Sequence, residues 1–141
     1  LHVVGCNGFW ASGGGTIVVD VRLVDHQLTF TFAEGCRIGY LRLSSVDAEG
    51  AVVEPPLWWI RAPTGEDPRV DVITAGQPPA GFEEVTDNLQ PDLPSTLDLT
   101  VRSNFTFSGD FETAALADGE AHQVELLPVM NELSPARSDG C

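Results

Sequence analysis

Three cysteines, three histidines and twenty-one acids are the side chains of this 141-residue chain best suited to chemistry, and their spacing limits what they can do. Cys6, Cys36 and Cys141 form no Cys-x-x-Cys, and His2, His26 and His122 form no His-x-x-x-His, so no transition-metal site is expected. Hard oxygen donors cluster better. Glu66, Asp67 and Asp71, and separately Asp87, Asn88 and Asp92, are candidate calcium ligands in two loops, although neither run follows the EF-hand pattern. Glu83 and Glu84 are adjacent; on an extended chain they face opposite ways and share no substrate. With no Gly-x-Ser-x-Gly elbow, and no Lys or helix after the glycines at 13–15, neither nucleophilic catalysis nor phosphate cradling is supported. An enzyme is not expected, nor a resident cofactor beyond the candidate calcium. The aromatic residues offer a different chemistry. Trp10, Tyr40, Trp58 and Trp59 could form a stacking platform for a glycan, against the reading that a tryptophan on a central strand is core. Asn104-Phe105-Thr106 is an N-glycosylation acceptor sequence.

The charge balance narrows the partners. Net charge is −14, with seven Arg and no Lys. It is unevenly spread: residues 1–46 hold three acids and three Arg, residues 47–141 eighteen acids and four Arg. A nucleic-acid backbone or an anionic membrane surface is repelled by such a chain, whereas a protein partner is not excluded. No apolar run reaches the 18 residues that a spanning helix needs.

The elements that must carry these residues are strands. Ile17, Val19, Val21 and Leu23 alternate with polar residues or Val, and the pattern repeats at Leu28–Phe30–Phe32, at Leu97–Leu99–Val101, at Phe105–Phe107–Phe111 and at Val124–Leu126. Asp25-His26, Asp47–Gly50 and Ala117–Gly119 are turns between them. Around Gly39 the phase shifts from Ile38 to Leu41, which predicts a bulge. On the strand Leu57–Arg61, Trp58 and Ile60 share one face and Trp59 takes the other. Eight of the ten prolines fall between Pro55 and Pro94, making the middle loop-rich. Residues 75–94 show no strand pattern; the expectation is one helical turn at Phe82–Thr86, with Phe82 and Val85 as anchors. The fold class expected is all-β, an Ig-like antiparallel β-sandwich of about eight strands with an N-terminal extended arm and a Pro-rich middle loop region. Residues 1–15 form the arm and hinge, 16–130 the domain and 131–141 a polar tail.

An odd cysteine count in a small β-domain leaves one thiol after a disulfide closes, and Cys6, Cys36 and Cys141 are all candidates for that bond. Val3-Val4-Gly5-Cys6 resembles a bacterial lipoprotein processing site, which makes Cys6 a candidate lipid anchor. Leu1, Val3, Val4, Phe9 and Trp10 form an apolar arm ahead of the glycine hinge. Such an arm either tucks against its own core or adds as a strand to a neighbour.

The order Leu57-Trp58-Trp59-Ile60-Arg61, Asp71-Val72-Ile73, Gly76-Gln77-Pro78-Pro79-Ala80-Gly81-Phe82 and Leu97–Val101 resembles small bacterial secreted, lipoprotein-like Ig-like β-sandwich domains over residues 37–103. Their shared Gly, Pro and aromatic motif marks turns and packing, so the resemblance implies a cell-envelope β-domain and no activity. The functional expectation is a non-enzymatic exported structural or interaction module, a cell-surface or filament subunit meeting its neighbours through the arm and the charge-neutral first third. The alternative is a ligand-binding envelope domain for calcium or a glycan.

Overall fold

The structure, a computed structural model, describes residues 15–32, 36–63, 67–103 and 105–129. The expected positions Leu1, Val3, Val4, Cys6, Phe9, Trp10, Glu66, Asn104 and Cys141 lie outside them.

Alternation becomes strands wherever it was read. Among the described residues nine form: β1 Ile17–Val24, β2 Gln27–Thr31, β3 Tyr40–Ser45, β4 Trp58–Arg61, β5 Val72–Thr74, β6 Glu83–Asp87, β7 Thr96–Arg102, β8 Thr106–Glu112 and β9 His122–Pro128. All pairings are antiparallel. A 3-10 turn, Thr113–Leu116, joins β8 to β9 and buries Leu116. Asp25 and His26 both take positive φ, 54° and 66°, which lets a two-residue reversal follow the twist of β1 and β2. The carboxylate of Asp47 accepts the N–H groups of Glu49 and Ala51, and Gly50 closes that turn at φ 87°.

An Ig-like sandwich divides its strands between two sheets. Here the hydrogen-bonded order runs without a break, β5-β2-β1-β9-β8-β7-β3-β4-β6, as one curled sheet. Strand β9 makes the corner. Its first five residues pair with β1, whereas Leu127 and Pro128 pair with Ser108 and Phe107 of β8. At the corner the backbones come so close that a Cβ on Gly109 would sit 2.6 Å from the carbonyl oxygen of Glu125. The inner faces of both halves join in one core, with Val19, Val21, Phe30 and Ile73 from one side and Leu41, Leu43, Trp58, Ile60, Leu99 and Val101 from the other.

One local expectation changes. Residues 83–87 form the edge strand β6 rather than a helical turn, and Val85 is exposed while Phe82 packs against the core. Its sequence, EEVTD, has no apolar alternation because every β6 side chain is exposed or half-buried. What holds β6 is its backbone pairing to β4, aided by Trp58 Nε1–H donating to Glu84 Oε2 at 2.7 Å and by the Arg61–Glu83 ion pair at 2.8 Å. A register irregularity lies between Trp59 and Ile60, in the β4–β6 pairing. In strand order β3 is separated from β1 and β2 by β9, β8 and β7.

Candidate functional site

Alternation puts every second residue of β3, β4, β7 and β8 on the outer face of the larger half. Register sorts these residues into three rungs. The first is Arg61–Tyr40–Arg102–Thr106, the second Trp59–Arg42–Thr100–Ser108 and the third Ser44–Asp98–Asp110. Rungs two residues apart lie roughly 7 Å from each other. The first two levels thus mix cations, aromatics and hydroxyls, and the third carries the acids.

The upper two rungs are knit by ring contacts. Tyr40 and Trp59 meet edge to face, with centroids 6.3 Å apart. The guanidinium of Arg42 lies 5.8 Å from the Trp59 ring centre, and that of Arg102 lies 5.7 Å from that of Tyr40. Arg61 is paired with Glu83; among the described residues Arg42 and Arg102 make no ion pair. Trp59 Nε1 is buried and makes no hydrogen bond among the described residues.

The third rung is electrostatically unusual. Asp98 is only 7 % exposed, on a central strand covered on both faces. Burial, followed by a hydrogen bond with Asp110, pushes its carboxyl from 3.8 up to about 6; the Thr100 hydroxyl, which donates to Asp98 Oδ2 at 3.0 Å, and the charge of Arg42 pull the other way.

The expected sites fare differently. Trp58 is fully buried and Trp59 is on the outer face, so they share no stacking platform; Tyr40 remains beside Trp59. Glu83 and Glu84 do face opposite ways, one toward Arg61 and the other toward Trp58. Asp87 Oδ1 accepts from Leu89 N–H and Asn88 Nδ2–H donates to Pro56, while Asp92 is exposed. In the other loop, Asp67 takes Arg37 on its carbonyl and Asp71 accepts Phe32 N–H on its own. Among the described residues no three His, Cys, Asp or Glu side chains converge on a metal-sized position. His122 Nε2 meets Asp118 at 2.9 Å; the Glu120 N–H, then His122, hold the Asp118 carboxyl below its usual range. Cys36 is buried, and no described cysteine is a free thiol. A half-open cavity of about 340 Å³ lies between the β1–β2 turn and residues 89–93, lined by Asp25, His26, Leu28 and Leu89 among others. It is remote from the rungs in strand order, because β2 is separated from β7 by β1, β9 and β8.

The arginine–aromatic rungs and the Asp98–Asp110 pair escape a linear reading because their members come from four strands spread between Tyr40 and Asp110. The one available signal was phase: Arg42, Asp98, Thr100 and Arg102 all stand out of step with the buried leucines of their strands.

No helix among the described residues is long and apolar enough to cross a membrane. No family model matches the sequence, and no curated protein or solved structure is significantly similar to it.

Proposed function

We propose that the protein is a non-enzymatic interaction module of the cell envelope or extracellular space, and that copies associate when the apolar arm of one adds as a strand to a sheet edge of the next. The observation that carries this reading is the openness of the sheet. Among the described residues it ends in two strands, β5 and β6, and these do not pair with each other to close a barrel. The two edges differ in charge. β6 carries Glu83, Glu84 and Asp87, the acidic guard that keeps an edge from pairing with other chains. β5 is Val72-Ile73-Thr74, with no charge on the strand and Val72 exposed. An arm with Leu1, Val3 and Val4 therefore has one unguarded acceptor. A disulfide at Cys36 belongs to this reading and is supported by its burial without a free thiol; such a bond suits an oxidising compartment.

The test is sedimentation of the full chain beside a variant lacking residues 1–15 and beside Val72→Lys. The full chain should form concentration-dependent oligomers and both variants should stay monomeric. A full-length chain that is monodisperse at high micromolar concentration ends the proposal, as does unchanged assembly by Val72→Lys.

A further inference from the structure

We propose that the outer face of β3, β4, β7 and β8 is a binding surface for a carboxylated carbohydrate, a uronic-acid-type glycan, seated across the three rungs. This surface is distinct from the β5 edge, and the inference does not depend on strand addition.

Charge complementarity begins the argument. Of seven arginines in a chain of net charge −14, three (Arg42, Arg61 and Arg102) are gathered here by register. Arg61 is neutralised by Glu83, which leaves Arg42 and Arg102 without an ion-pair partner among the described residues. Each lies over an aromatic ring. That placement restricts the guanidinium and leaves N–H edges able to grip a carboxylate in bidentate fashion. Acids beyond about 8 Å are largely screened at physiological ionic strength, and the near pair, Asp98 and Asp110, lies one rung from Arg42 and two from Arg102.

The remaining groups choose among anions. A nucleic acid needs a long basic track, and two unpaired guanidinium groups do not supply one. An acidic peptide meets Arg42 and Arg102 but brings neither an apolar C–H face for Trp59 and Tyr40 nor hydroxyls that donate to exposed Asp110. A uronate sugar satisfies all three levels. Its carboxylate is held by the arginines, its C–H surface covers the half-buried Trp59 and Tyr40, and its hydroxyls donate to Asp110 and exchange hydrogen bonds with Ser108. One face of each ring is already taken by a guanidinium or by its neighbour, so a neutral sugar has too little open ring surface to bind by stacking alone.

Titration calorimetry of the full chain decides the matter, using tetragalacturonate as probe, with a neutral tetrasaccharide and poly-glutamate as comparisons. Tetragalacturonate should bind, weaken as salt rises, and lose at least about ten-fold in affinity in Arg102→Gln and in Arg42→Gln. Circular dichroism and melting of both variants check the fold. Arg102 is exposed and keeps the test valid if Arg42→Gln unfolds. Absence of binding, equal binding of the neutral tetrasaccharide, tighter binding of poly-glutamate, or unchanged affinity in a folded Arg102→Gln each overturns the proposal.

Discussion

Asp98 and Asp110 stand directly opposite each other on β7 and β8 and share a hydrogen bond, with Asp98 buried and Asp110 exposed. Two carboxylates in register repel when both are ionised, which together with burial holds a proton on Asp98 up to a pH of about 6.

A stability profile follows from that proton. The native pKa of Asp98 is raised from 3.8 to about 6, first by burial and then by Asp110. Below the unfolded value both states hold the proton and folding pays no penalty. As pH rises from about 4 to about 6 the native state keeps a proton that the unfolded chain has lost, and stability falls; above the native value the penalty is complete. Asp98→Asn should flatten this slope and stabilise the protein at pH 7.5 by on the order of 1–2 kcal/mol, allowing for solvent screening at Asp110. Urea unfolding at pH 4.5, 6.0 and 7.5 measures it. An identical slope in the variant would show that Asp98 does not carry the proton.

Gly109→Ala should be among the most damaging single-methyl changes. The added Cβ would stand 2.6 Å from the Glu125 carbonyl oxygen and 3.0 Å from Leu126 Cδ2, where β9 turns the corner between the halves. Moving backbone there costs on the order of 2–3 kcal/mol. By contrast, a Cβ on Gly119 meets nothing, although its φ of 75° still penalises alanine by about 1 kcal/mol. Thermal melts of the two variants should rank in that order.

Trp58→Phe tests the link between the core and the β6 edge. It removes the 2.7 Å bond to Glu84 and leaves a gap in a fully buried position. A loss of about 2–4 kcal/mol is expected, with early hydrogen exchange of β6 amides. If β6 exchange stays in step with β7, the indole bond is not what secures that edge.

Trp59→Phe should behave in the opposite way. The ring contacts with Tyr40 and Arg42 can persist, and the unpaired Nε1–H disappears. Stability should change by less than about 1 kcal/mol in either direction, since the lost ring area offsets removal of an orphaned donor. A loss as large as that for Trp58→Phe would mean that Trp59 is held by more than these contacts.

Strand identity was legible because the inner face of each strand must be apolar, and the side-chain period of two writes that demand into the chain. Ile17–Val21, Leu28–Phe32, Leu97–Val101 and Val124–Leu126 are read straight from that period, and so is the division of Trp58 from Trp59. β6 was not legible: an edge strand with no buried face carries no alternation, and Glu83–Asp87 is held by its partner's backbone.

The sequence by itself determined that this protein is an antiparallel all-β domain with turns at Asp25-His26, Asp47–Gly50 and Ala117–Gly119, since patterning and turn chemistry are local. Only the tertiary structure decided the strand order, the single curled sheet, and the meeting of Arg42, Trp59, Tyr40 and Arg102 above Asp98 and Asp110. Those depend on which strands become neighbours, and pairing between distant strands is set by the fit of the shared core, a property of the whole chain.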